Sequence, residues 1–171
     1  MSDKLTTSRA PGGAHHHLSQ LVGTWHGTTQ TWFEPGKLAD ESPWQATIRM
    51  AVDDRFALYE YQGSLQGKPL AGLAIIGYHI DRERYEMAWV DSFHTGTEIM
   101  YCTGTPAAER FAVLTHYGPP DAQWGWRTEI TFGGAEGGAE SDSDHLIITA
   151  FNITPAGDEG KAVETRYQRQ P

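Results

Sequence analysis

Apolar and polar positions alternate along most of this chain in short runs, cut at close intervals by Gly, Pro or Asp. A period of two sends successive side chains to opposite faces of a strand, whereas a surface helix repeats its apolar residues three and four apart. The alternation predicts ten strands, over 22–34, 43–52, 55–65, 69–80, 84–92, 97–105, 110–117, 124–132, 145–153 and 161–169. Tyr85, Met87, Trp89 and Asp91 share one face of the fifth. Phe111, Val113, Thr115 and Tyr117 share a face of the seventh, and Trp124, Trp126, Thr128, Ile130 and Phe132 a face of the eighth. The connections are too short for parallel crossovers, so neighbours pair antiparallel. An open sheet would keep two raw edges that invite aggregation, and closing the last strand on the first removes them. The expected fold is therefore all-β, an up-and-down antiparallel β-barrel of about ten strands.

Ahead of the strands, residues 1–14 read as a disordered lead-in and 15–21 as a short, exposed helical turn, leaving 15–171 as one barrel domain. Residues 133–144, rich in Gly, Glu and Ser and poor in apolar side chains, read as a mobile loop. The mixed faces of several strands suit either a partly wet cavity or an outer wall that contacts another subunit.

Composition adds to this picture in three ways. Six Trp, seven Tyr and six Phe favour pleated sheet and are numerous enough to line a pocket. A net charge of −9 repels nucleic-acid phosphate and anionic lipid, which argues against both as partners. Cys102, the single cysteine, stands in an apolar run and reads as a buried, inert thiol. A lone cysteine, no apolar signal core in residues 1–13 and no run long enough to cross a bilayer give a cytoplasmic protein as the expectation.

Strong chemical motifs are missing: there is no nucleophile elbow, phosphate-cradling Gly loop or zinc spacing. The run His15-His16-His17 lacks a nearby carboxylate or Cys at ligand spacing, so no metal is expected. Asp91 is a carboxylate on an apolar face. Inside a barrel it would need a partner such as Arg127 or His116, and at the strand end it would cap the turn Ser92-Phe93-His94. His94 and His116 are candidate general bases. Glu60 and Glu129 either pair with Arg49 or Arg127 or lie solvated on the outer wall. The candidate lining of a ligand pocket is Trp32, Trp44, Tyr59, Tyr61, Tyr78, Trp89, Asp91, His116, Trp124, Trp126 and Arg127.

The segment Leu21-Val22-Gly23-Thr24-Trp25-His26-Gly27 resembles the calycin signature, a Gly-x-Trp opening the first strand after a short helical turn. The resemblance implies that Trp25 closes one end of the barrel, with Gly23 and Gly27 packed around it. It also implies a basic residue of the last strand, Arg166 or Arg169, lying across the indole. Gly77-Tyr78-His79-Ile80-Asp81 and Trp89-Val90-Asp91-Ser92, with Arg55-Phe56 upstream, resemble a bacterial family of domains of unknown function, numbered 1579, over about residues 18–169. That family carries G-T-W, a G-x-F-L-like segment, G-Y-D and W-x-D-S in this order; here His79 stands at the Asp of G-Y-D. A weaker resemblance to lipocalin, fatty-acid-binding and nitrobindin-like barrels would imply haem only with an inward proximal His, for which His116 and His145 are the strand candidates.

These readings make a non-enzymatic carrier or sensor of a small apolar or aromatic ligand the leading expectation, with no cofactor. The alternatives are a haem barrel, a hydrolase or isomerase using Asp91 with His94 or His116, and a structural protein whose outer face forms a homodimer.

Overall fold

The computed structural model describes residues 2–107, 110–132 and 143–171. Two helices, α1 (Ser2–Arg9) and α2 (Ala14–Gln20), precede ten strands. The strands are β1 (Gly23–Glu34), β2 (Lys37–Ala51), β3 (Phe56–Leu65), β4 (Lys68–His79), β5 (Arg84–Asp91), β6 (Met100–Thr103), β7 (Phe111–Tyr117), β8 (Trp124–Phe132), β9 (His145–Ile153) and β10 (Glu159–Arg169). Each pairs antiparallel with its neighbour in sequence, and β10 returns to β1, so the sheet closes into a ten-stranded antiparallel barrel. The closing register runs from Trp25↔Arg169 to Thr31↔Val163.

The wall is uneven. β3 and β4 pair over ten residues, from Phe56↔Gly77 to Leu65↔Lys68, whereas β6 and β7 share the single ladder pair Thr103↔Leu114 among the described residues. β6 is short because, of the residues expected in the strand, 97–99 belong to the preceding loop and 104–105 to the following one.

Alternation is kept along the barrel. Tyr85, Met87, Trp89 and Asp91 point inward from β5, and Phe111 and Val113 from β7. Leu73, Ile75 and Tyr101 stay exposed. Two tyrosine hydroxyls, of Tyr59 and Tyr167, meet across the interior at 3.0 Å. No helix of the described residues is long and apolar enough to cross a membrane.

One end is closed by Trp25, which is fully buried, with its indole N–H donating to the Leu21 carbonyl at 3.0 Å. The residue laid over it is Arg169, whose guanidinium carbon is 4.2 Å from the ring centroid. Arg169 also donates to the carbonyls of Gln20, Val22 and Ser143. Arg166 instead pairs with Glu164 at 2.6 Å. Gly27 is required by closure: a Cβ there would overlap the Arg166 backbone carbonyl on β10.

The expectation of a disordered lead-in is corrected by α1, a helix through most of that segment. It is tied down by partners remote in sequence: Lys4 with Asp81 at 2.8 Å, and Arg9 with the Asp53 carbonyl. His15, expected exposed, is buried, hydrogen-bonded to Ser8 Oγ at 2.8 Å and edge-on to Tyr78. Of the Gly-, Glu- and Ser-rich segment read as a mobile loop, residues 133–142 lie outside the described residues.

Candidate functional site

At the end opposite Trp25, β5 delivers Asp91 with its side chain inward, and the following loop, 92–99, folds back across the mouth. The carboxylate organises that loop. Its Oδ1 accepts the backbone N–H of Phe93 (2.9 Å), His94 (2.5 Å) and Thr95 (3.3 Å). Its Oδ2 accepts the Tyr61 hydroxyl at 3.1 Å and His94 Nδ1 at 2.6 Å. Thr95 Oγ1 closes the turn, accepting from Asp91 N and donating to Asp91 O. Burial resists ionisation of Asp91 most strongly, but the hydrogen bonds from His94 and from the backbone N–H groups outweigh it, leaving the carboxyl below its ordinary range. An ionised carboxylate only accepts, so Nδ1 of His94 donates to it.

A register detail brings Tyr61 to Asp91. The cross-strand row is Tyr61↔Gly72↔Asp91, on β3, β4 and β5. The Tyr61 ring lies over Gly72, where any Cβ would overlap it. The phenol thus bridges a strand to reach the carboxylate and also receives the Trp89 indole N–H at 2.8 Å. Burial, and then the Asp91 charge, hold the Tyr61 hydroxyl well above its ordinary pKa, so it remains a donor.

His94 enters the mouth as the third ring of a layer. Trp89 and Trp126 stack with centroids 5.3 Å apart, and His94 lies 5.7 Å from the first and 5.3 Å from the second. Below this layer the barrel interior is almost filled. About 60 Å³ remains open, bounded by side chains such as Trp44, Tyr59, Tyr61, Thr128 and Ile148. That is room for a few waters at most. Above the layer is a bowl of about 340 Å³, walled by Trp32, Phe33, Phe93, Met100, Tyr117 and Trp126. Its polar groups are His94, Thr31, Glu98 and the pair in which the Tyr117 hydroxyl donates to Asn152 Oδ1 at 2.8 Å. Nε2 of His94 has no hydrogen-bond partner among the described residues. A wider, solvent-open depression of about 820 Å³ lies on the outer wall over β1–β4, bordered by His26, Gln45 and Gln62.

The structure therefore brings together Asp91, His94, Trp89 and Trp126, with Trp32 at the rim beneath Lys161. Trp44, Tyr59 and Tyr61 belong to the interior, where they form a continuous stack. The other candidates lie elsewhere. Tyr78 packs between His15 and Tyr85, away from the bowl. Trp124 is 38% exposed at the start of β8. His116 is exposed, on the face opposite Val113, and so partners neither Asp91 nor a ligand in the barrel. Arg127 is also outward, bound to Glu129 and Glu159 and stacked on Phe151. Glu60 pairs with Arg49 at 3.9 Å on the outer wall. Cys102 is buried, and burial pushes its thiol up to about 12.

Sequence reasoning missed Gly72, Tyr117, Asn152 and Phe93. Tyr117 carried a signal, since it shares the inward face of Phe111 and Val113. A haem group does not fit: His116 points outward, His145 opens β9 at the end near Trp25, and the interior is far smaller than the ~300 Å³ that ordinary ligand pockets begin at. Among the described residues no three His, Cys, Asp or Glu side chains are grouped to hold a metal ion.

Comparison with known proteins agrees with this architecture. A phycobiliprotein lyase of S type, CPES from Guillardia theta, superposes with a TM-score of 0.53 at 14% identity, covering 92% of this chain and 93% of its own. Rv2717c from M. tuberculosis superposes with a TM-score of 0.55 at 16% identity, covering 95% of this chain and 99% of its own. At such identities the likeness is one of fold. No curated protein matches the sequence. The profile of one family, described as a protein of unknown function (DUF1579), spans residues 10–169, and the chain belongs to that family.

Proposed function

We propose that this protein is a binding protein for a small, mostly apolar aromatic molecule, received in the bowl at the open end. The observation that carries the reading is the bowl itself, a concave space of about 340 Å³ walled by aromatic side chains and floored by a stacked Trp–Trp–His layer. A pocket of that size and lining, with a few convergent polar groups, is the usual form of a small-molecule site. The nearly filled interior moves the site to the mouth, so binding needs no rearrangement of the core. Titration of the intrinsic Trp fluorescence with naphthalene and indole derivatives tests it. At least one should bind more tightly than about 1 mM and quench saturably, and Trp126→Ala should weaken it about tenfold or more. Failure of the whole panel, or binding indifferent to Trp126→Ala, would overturn the reading.

A second reading rests on the 2.6 Å contact between Asp91 and His94. A carboxylate that holds one nitrogen of an imidazole bordering a cavity is an arrangement that a general base uses. A barrel of this fold carries the name of a lyase, which lends that reading some support. Incubating any compound that binds and analysing it by mass spectrometry decides it: conversion lost in His94→Gln supports an enzyme, and unchanged compound removes it.

A further inference from the structure

The polar groups at the floor of the bowl restrict which aromatic molecule it takes. All the hydrogen-bonding capacity of the Asp91 carboxylate is occupied, by three backbone N–H groups, the Tyr61 hydroxyl and His94 Nδ1. Asp91 therefore has nothing to offer a ligand directly. Its effect passes through His94: donation from Nδ1 places the acceptor lone pair of the neutral ring on Nε2. The ring is fixed in that orientation by its own backbone N–H on the same carboxylate and by the flanking Trp89 and Trp126. His94 lines the floor of the aromatic bowl, and in the neutral ring its Nε2 is an acceptor with no donor from the described chain. The charged groups bordering the bowl are the carboxylate of Glu98 and, over Trp32 at the rim, the ammonium of Lys161, which is already paired with Glu164. The Tyr117 hydroxyl is already committed to Asn152. The floor of the site therefore offers the Nε2 acceptor, with the Glu98 carboxylate at its border, within a chain of net charge −9.

We infer that the bowl selects aromatic molecules carrying an O–H or N–H donor, phenols and indoles in particular, by pairing that donor with Nε2 of His94, and rejects aromatic carboxylates. The inference rests on the bowl being the binding site and adds the polarity of its ligand. His94 is here the residue that touches the ligand, and Asp91 is a positioning residue.

Calorimetric titration of the full-length protein at pH 7.5 with 2-naphthol, 2-methoxynaphthalene and 2-naphthoate tests it. The three share a ring system and differ in whether they offer a donor, no donor or an anion. The naphthol should bind about tenfold more tightly than its methyl ether, the worth of one well-made hydrogen bond, and the carboxylate should bind most weakly. In His94→Phe the naphthol should lose its advantage while the ether keeps its affinity. In ¹⁵N spectra of the wild type, the His94 Nε2 resonance should move with the naphthol and not with the ether, a readout independent of any variant. Equal binding of naphthol and ether, or tightest binding of the carboxylate, would overturn this inference and leave the bowl standing as a site. Binding of none of the three would overturn both.

Discussion

Asp91 does two things with one carboxylate: it pins the turn of the loop over the mouth and it orients a histidine. Both depend on its being ionised inside an apolar barrel. Its pKa is depressed in the folded chain, so its stabilising contribution is fully present above the ordinary carboxylate value and fades as pH falls through the folded one. Asp91→Asn should cost about 2–3 kcal/mol in urea unfolding at pH 7, the worth of hydrogen bonds to a charged acceptor. The gap between variant and wild type should narrow once pH falls below about 4. A gap that is constant with pH would mean that the charge is immaterial. At this scale the sequence was partly readable. A carboxylate in register with Tyr85, Met87 and Trp89 marks a special position, and His94 three residues on lies within its reach. The outward His116 and Arg127 were not excluded, because strand phase near an end depends on where the strand stops. Gly72 was invisible as a site residue, since its role is to be absent beneath Tyr61.

At the scale of elements, alternation located the strands well wherever they line the core: β8 and β9 span the expected residues. It failed for the first part of β2, where Lys37, Asp40, Glu41 and Ser42 read as loop. These residues lie in a hairpin arm near the rim, paired with β1, where backbone pairing holds the strand without an apolar face. It failed again for α1, whose stabilising contacts with Asp53 and Asp81 are remote in sequence and carry no periodic signal. The helical pair has a titration of its own. Burial chiefly, and Arg9 and Arg55 nearby, hold the pKa of His15 below its ordinary value, so the folded state resists a proton that the unfolded chain accepts. Stability should fall as pH drops from 7.5 through about 6, and fall less in His15→Gln. Parallel urea curves at pH 7.5 and 5.5 for the two proteins measure this; identical losses would show that His15 does not couple docking of the helices to pH.

For the molecule as a whole, closure was legible from the number of strands and their short connections, and the Gly-x-Trp opening showed which end is plugged. The amount of free space was not, because the sequence lists aromatic side chains without saying whether they line a cavity or fill it. Here Trp44, Tyr61 and Tyr59 stack on one another and fill it. The plug is a joint between the first and last strands and α2, since Arg169 covers Trp25 and caps the carbonyls of Gln20 and Val22. Arg169→Ala should therefore lower stability by about 2 kcal/mol, from the lost cation–π contact and the carbonyls left unpaired. Arg169→Lys should recover only part, because one ammonium cannot cover the ring and fork across several carbonyls. Full recovery by Lys in thermal unfolding would reduce the contact to simple charge.

Among the described residues the ladders of the cylinder shorten to four pairs between β5 and β6 and to one between β6 and β7, which gives it a preferred line along which to part. Amides there should exchange with deuterium sooner than those of β3 and β4, whose pairing continues unbroken from rim to base. Met100 and Tyr117 stand at the upper end of that slit and also border the bowl, so a bound molecule that bridges them would act as a rivet. Occupancy would then be reported as slowed exchange along the weakest line of the wall, with no other change of shape required.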